Sequence, residues 1–259
     1  MTYKEKIINA TNMIFVEGGT FLMGDENENK KVTLDSYYIS ETAVTIYLWG
    51  EIIGFKSDFF EKNIDIKKPV SNINWGEIQD YIYKLKNVDI KRPITNINWF
   101  EVQEFLYKLN DLTGKNYSLP TEAQWEFAAR GGNKSQGYIY SGSNDVNEVA
   151  WTFKNTRNDT QFWNVPPSVG QKKPNELGLY DMSGNVYEWC KDFYAPYTED
   201  DKINPCCEIG ENDPEFGIRK IMRGGSFLFG ENDCRVTHRS YAKPDIYTFD
   251  TGFRLVENI

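Results

Sequence analysis

The second half of this chain abandons the periodicities on which regular folds are built. From Asn133 to Ile259 it is rich in Gly, Asn, Asp, Pro and aromatic residues, and its apolar positions rarely hold helical or strand spacing for long. Only short strand-like runs stand out near the end, "KIMRGGSF" (220–227) and "TGFRLV" (251–256). Chain of this kind keeps one shape only if specific hydrogen bonds or bound ions satisfy its loop backbone. The expectation is a mixed α+β domain with much irregular loop, and 259 residues suffice for one sizeable core. The chain is therefore read as a single domain, 1–259.

The first half carries the regular elements. "MIFVEGGTFLMG" places a Gly-Gly turn between apolar runs, and "KVTLDSYYISETAVT" alternates as strands do. "TIYLWGEIIGF" reads as helical. A unit of 23 residues then occurs twice, at 65–87 and 89–111, with thirteen identical positions. In each copy Pro and an extended Ser/Thr-Asn-Ile-Asn precede a helix starting at Trp75 or Trp99. Asn74 with Glu77, and Asn98 with Glu101, have capping-box spacing. Ile78, Ile82 and Leu85 form one apolar stripe, and Val102, Leu106 and Leu109 its counterpart. A further helix is expected in "SLPTEAQWEFAARGG", from Thr121 as N-cap with Gln124 at N3, to Gly131 just past its end. Two repeats do not make a solenoid, so the first copy reads as a surplus helix whose stripe must be buried through Ile78, Ile82 and Leu85.

Charge and composition exclude several functions. A net charge of −9 without a basic cluster argues against nucleic-acid binding. No apolar run approaches the length of a membrane span. The start has no signal-peptide core, so export is not encoded in the chain as given; a removed signal would look the same, and the cell surface would then be the expected location. Cys190, Cys206, Cys207 and Cys234 lack CxxC spacing, and His238 is the one histidine, which supplies a zinc site poorly. Disulfides from Cys190 to Cys234 or to the Cys206-Cys207 pair, and four reduced thiols, are both open.

Four blocks in this order, "GGTFLMG", "PITNINWFEVQEFLYKLNDLTGKNYSLPTEAQWEFAARGG", "KPNELGLYDMSGNVYEWCKDFY" and "RGGSF…CRVTHRS…P…TGFRLV", resemble the formylglycine-generating enzymes, the sulfatase-modifying-factor family. The resemblance runs from about Met13 to Val256. It implies a variant of the C-type lectin fold: a small twisted antiparallel sheet, two packed helices and long loops, with the first and last strands on one sheet. The enzymes of this family convert a sulfatase cysteine to formylglycine through two copper-binding cysteines after "RGGS". Here that stretch, "RGGSFLFGENDCRVTHRS", keeps Cys234 alone, with Phe229 and Gly230 where the other cysteine would fall. Copper and oxidase activity are not expected. An iron-dependent branch of the family needs three histidines, which this chain lacks.

The resemblance also implies a calcium site in "YDMSGNVYEW", formed by Asp181, Gly184, Val186 and Glu188. The alternative is a tight loop that needs no ion. Arg223, Arg239 and Arg254, with their neighbouring glycines, read as architecture, since one guanidinium can hold several loop carbonyls.

The last segment carries the functional expectation. Between "CRV", Pro244 and "GFR" stand aromatic, small and hydroxylated residues of the type that binding loops use. This resembles the variable proteins of diversity-generating retroelements, built on the same lectin-fold variant. The expected role is a non-enzymatic, ligand-binding protein contacting a protein or small molecule through Phe227, Leu228, Phe229, His238, Ser240, Tyr241, Ala242, Ile246, Tyr247, Phe249 and Asp250. The alternatives are the copper-dependent oxidase and an interaction module of a larger assembly.

Overall fold

A computed structural model describes residues 1–54, 89–156, 165–197, 202–210 and 217–259. The first repeat copy, with Ile78, Ile82 and Leu85, lies outside the described residues.

The chain opens with helix α1 (Tyr3–Thr11), whose N-terminus is closed by a capping box between Thr2 and Glu5. Strand β1 (Met13–Val16) and β2 (Gly19–Gly24) flank the Gly-Gly turn but pair with different partners. β2 forms an antiparallel hairpin with β3 (Asn29–Leu34), while β1 runs antiparallel to β4 (Tyr37–Ser40). Helix α2 (Ile46–Ile53) follows, capped by Thr45.

Helix α3 (Trp99–Thr113) is the second repeat copy, and the Asn98–Glu101 capping box forms. Its stripe of Val102, Leu106 and Leu109 is buried, joined by Phe105. Phe105 stacks on Trp49 of α2 at 5.3 Å, and Phe253 meets both rings edge-on. Each such aromatic contributes on the order of 2–3 kcal/mol by leaving water. After the short strand β5 (Tyr117–Ser118), helix α4 (Glu122–Ala129) starts in the Thr121–Gln124 capping box. Every residue of α4 is buried, carboxylates included, and Gly131 turns out of it at φ +92°. Short helices α5 (Val146–Val149) and α6 (Phe153–Thr156) precede the motif-rich region.

The remaining strands are β6 (Tyr187–Phe193), β7 (Lys202–Ile203), β8 (Lys220–Arg223), β9 (Arg239–Ala242), β10 (Thr251–Gly252) and β11 (Val256–Asn258). Among the described residues they complete three small sheets, in the orders β1-β4-β11-β5, β10-β6-β8-β9 and β2-β3-β7. The first and last strands thus share a sheet. The pairing is mostly antiparallel, with β10–β6 and β3–β7 parallel. The lectin-type α+β fold is as expected, but its sheet is divided into three rather than continuous. All four cysteines are free thiols, with Cys190 and Cys234 buried.

Three arginines and their carboxylates hold the irregular second half together beside its hydrophobic core. Arg223 is fully buried and bonds Glu126 and the carbonyls of Val236 and His238. Arg239 grips Glu122 through two bonds, at 2.7 and 2.9 Å. Arg254 reaches Glu188 and the carbonyls of Ser40 and Tyr180, tying β4, β6 and the last strand together.

A candidate ligand-binding face on the C-terminal segment

The segment from Gly224 to Gly252 is anchored by its backbone. Gly224 and Gly225 leave β8 with φ of +99° and +74°, a region that side chains avoid. A Cβ at Gly225 would stand 2.7 Å from the Asp233 carbonyl oxygen and 2.8 Å from Cys234 Sγ. Past this turn the Phe227 N–H donates to the Asn185 carbonyl at 2.9 Å, and Val236 donates to Ile139 at 3.0 Å. Farther on, the carbonyls of Pro244, Thr248 and Asp250 accept from Trp99, Asn96 and Tyr187 at 2.8–2.9 Å. Each of these partners lies outside the segment.

The side chains divide by burial. Phe229, Tyr241, Ile246, Tyr247 and Phe249 are exposed, Phe249 the most at 59%. Leu228, His238, Ser240 and Ala242 are half-buried around them. Phe227, 3% exposed, and Asp250 are buried, so these two stand behind the face and not on it. Phe227 points into the interior because the Gly224-Gly225 turn directs it there, and Asp250 is held by Ser226 Oγ at 2.7 Å. Their place in the expected contact set is corrected accordingly.

Residues outside the segment extend the face. Phe229 meets the Tyr187 ring edge-on at 5.4 Å, and Tyr241 packs against Tyr194 at 4.4 Å. The Arg219 guanidinium lies 4.1 Å over Tyr241. The Tyr247 hydroxyl donates to Glu101 Oε1 at 3.3 Å, so the start of α3 borders the loop. Sequence reasoning missed these residues because strands far apart in the chain bring them together. His238 Nε2 sits 3.6 Å from Asp233 Oδ1. Burial pushes its pKa below the usual histidine value, against the pull of Asp233.

Nothing on this face resembles a dithiolate centre. Cys234 is buried with its Sγ 3.5 Å from the Gly230 carbonyl, and burial pushes its thiol up to about 12. A thiol so poorly ionised is a weak metal ligand and nucleophile.

The calcium set tests differently residue by residue. Asp181 is buried at φ +57°; its Oδ2 accepts from the Gly170 N–H at 2.8 Å and its Oδ1 has no partner. Burial pushes its carboxyl up to about 6. Gly184 packs so tightly on Trp151 that a Cβ would lie 2.4 Å from the Trp151 carbonyl oxygen, and Val186 is buried. Glu188 is already committed. Its Oε2 accepts from Trp125 Nε1 at 2.7 Å and Arg254 Nε at 2.6 Å, and its Oε1 from Arg254 at 2.8 Å. Among the described residues no three Asp, Glu, His or Cys side chains converge on a metal position. The four residues as arranged do not fit a calcium ion, since the guanidinium of Arg254 takes the charge that a cation would meet.

No helix among the described residues is long and apolar enough to cross a membrane. Known proteins agree with the fold. The chain is 30% identical over 270 residues to the chaperone protein LppX of Paenibacillus barcinonensis, covering 96% of this chain and 90% of that one. It is 37% identical over 147 residues to the formylglycine-generating enzyme of Thermomonospora curvata, but spans only 48% of that enzyme's length. Among solved structures, Treponema denticola variable protein 1 superposes with a TM-score of 0.74 at 26% identity, covering 95% of both chains. The sulfatase-modifying factor enzyme 1-like domain matches residues 2–259, and the chain belongs to that family.

Proposed function

We propose that this protein is a non-enzymatic binder that presents the C-terminal segment to a ligand, in the manner of a retroelement-diversified variable protein. The observation that carries the reading is at position 229. Where the family's oxidases need a second cysteine, an exposed phenylalanine stands over Tyr187, and the remaining Cys234 is buried and protonated. Around it, exposed aromatic and aliphatic side chains ride on a backbone held from outside the segment. The likeness to a variable protein along 95% of both chains supports the same reading. A half-exposed aromatic cluster of this kind suits a protein or a small molecule with an apolar face.

The deciding experiment is to sequence the gene's surroundings. A neighbouring reverse transcriptase, and a near-copy of the last codons differing only at adenines, are expected. The differences should fall at positions 228, 229, 238, 240–242, 246, 247 and 249. Their absence defeats the diversified version.

The oxidase reading keeps a test because curated formylglycine-generating enzymes are relatives. Protein loaded with copper(I) and given a sulfatase-type cysteine peptide should consume no oxygen and form no formylglycine; either product overturns the assignment.

A further inference from the structure

The outer strand of a sheet carries main-chain donors and acceptors without a neighbour, and folds usually close such an edge. Two edges of this fold are closed by side chains. At β5, the outer strand of its sheet, the Asn110 amide takes both main-chain groups of Tyr117. Its Oδ1 accepts from the N–H at 2.7 Å and its Nδ2 donates to the carbonyl at 2.9 Å. At the end of β2, also an outer strand, the Gly24 N–H donates to Glu126 Oε1 at 2.8 Å and its carbonyl accepts from Arg130 at 2.6 Å.

β9 has no such closure. It is the outer strand of the sheet built on β6 and β8, and Arg239–Ala242 pair with β8 on one side. Among the described residues, no main-chain group of these four bonds any element but β8. In an antiparallel ladder every second residue turns its N–H and C=O away from the neighbouring strand. Unpaired main-chain groups therefore run through the middle of the C-terminal face. Solvent reaches this strand, since Tyr241 is exposed and Arg239, Ser240 and Ala242 are half-buried.

We propose that the ligand of this face is an extended segment of a partner protein, which adds to β9 as a further strand. The inference rests on the reading of the face given above and names the class of partner. A row of alternating donors and acceptors is matched by another main chain, not by a compact small molecule. Main-chain pairing is also indifferent to the side chains at 240–242, so a docked strand keeps its anchor when those residues differ. Specificity then falls to the side chains beside it, among them Tyr241, which packs on Tyr194 beneath the Arg219 guanidinium.

The test is a titration of the full chain, followed by amide NMR. The probe is a blocked hexapeptide of alternating valine and threonine. Its control is the same peptide N-methylated at two consecutive central residues, which blocks both edges of the strand and keeps the side chains. The unmethylated peptide should shift the amides of β9 saturably, with a Kd of about a millimolar, as suits so small a ligand. At ten times the Kd, β9 amides without a bond to β8 should exchange with deuterated solvent roughly tenfold more slowly, because only the unbound fraction exchanges. The methylated peptide should do neither. Phe249→Ser should change the peptide's affinity by less than about threefold, because the anchor is main chain. Equal binding of the methylated peptide, no saturable shift, or a loss beyond threefold in Phe249→Ser would each overturn the proposal. None of these results touches the codon pattern around the gene, so failure of the docked strand and failure of the diversified reading are told apart.

Discussion

Arg254 offers the sharpest test of how this fold is held. Its guanidinium is fully buried, pairs both oxygens of the buried Glu188, and donates to the carbonyls of Ser40 and Tyr180 at 3.0 Å. Arg254→Met keeps the stem's volume and removes every one of these bonds. Glu188 then retains a buried charge with Trp125 as its remaining donor, a situation that costs about 3–5 kcal/mol. Two carbonyls also lose donors, which places the expectation at the upper end of that range. Because domains are stable by only about 5–15 kcal/mol, the variant should be visibly weakened and still folded in stabilising buffer. Adding Glu188→Gln removes the stranded charge and keeps an acceptor for Trp125. The double variant should therefore be more stable than Arg254→Met alone, by about 2 kcal/mol. Urea unfolding of the four proteins, with and without millimolar calcium, measures the cycle. A loss below about 1 kcal/mol for Arg254→Met would refute the reasoning. So would a calcium-dependent rise in wild-type stability that vanishes in Glu188→Gln, because Glu188 would then be serving an ion.

The same urea assay separates the face from its support: Phe229→Ser, Tyr247→Ser and Phe249→Ser should each cost less than about 1 kcal/mol, and the buried Phe227→Ser more than about 3. Gly225→Ala should lose about 2 kcal/mol or more, since φ is +74° and the new Cβ would overlap the Asp233 carbonyl. Burial raises the Asp192 carboxyl from 3.8 to about 6, so its protonated form is favoured in the folded state; its contribution is full below pH 3.8 and lost as pH rises through 6. Wild type should gain on Asp192→Asn by about 2 kcal/mol between pH 7 and pH 4, and a flat difference would contradict this. Iodoacetamide on the folded protein should leave the buried Cys190 and Cys234 unmodified and reach Cys206 and Cys207 slowly, with all four thiols alkylated once unfolded, as mass spectrometry would count.

What could be read from the sequence followed the range of the forces involved. The capping boxes at Asn98–Glu101 and Thr121–Gln124 formed where the spacing put them, because a cap is decided within four residues. The same rule was visible in Thr2 and Glu5, but α1 stands before the first apolar run at Met13 and has no apolar stripe to mark it. The Gly-Gly turn was legible, but its strands separate into two sheets: β2 pairs with residues 5–15 positions on, and β1 with residues 21–27 positions on. The role of Glu188 was hidden for a stronger reason. A carboxylate in a glycine-rich motif looks alike whether a calcium ion or a distant guanidinium completes it, and Arg254 lies 66 residues on. Likewise, Lys30 and Tyr197 meet only through tertiary structure, so no local pattern could have marked that contact.

The proposed diversified face would need a backbone whose path does not depend on its side chains. The segment from 224 to 252 meets this condition in two ways. Its main-chain bonds to the rest of the fold include those to Asn96, Trp99, Ile139, Phe153, Asn185 and Tyr187, beside short turns of its own at 226–229, 230–233, 235–238 and 243–246. Its inward side chains, Phe227, Cys234, Val236 and Asp250, are buried, with Asp250 held by Ser226. Replacing Phe229, Tyr241 or Phe249 therefore changes exposed area and leaves those bonds in place. The ionic interior has a matching consequence. Arg223, Arg239 and Arg254 hold loops through directional bonds that need no long helix or strand. So much irregular chain can be fixed this way because the charges sit under the loops, where substitutions on the outer face do not reach them.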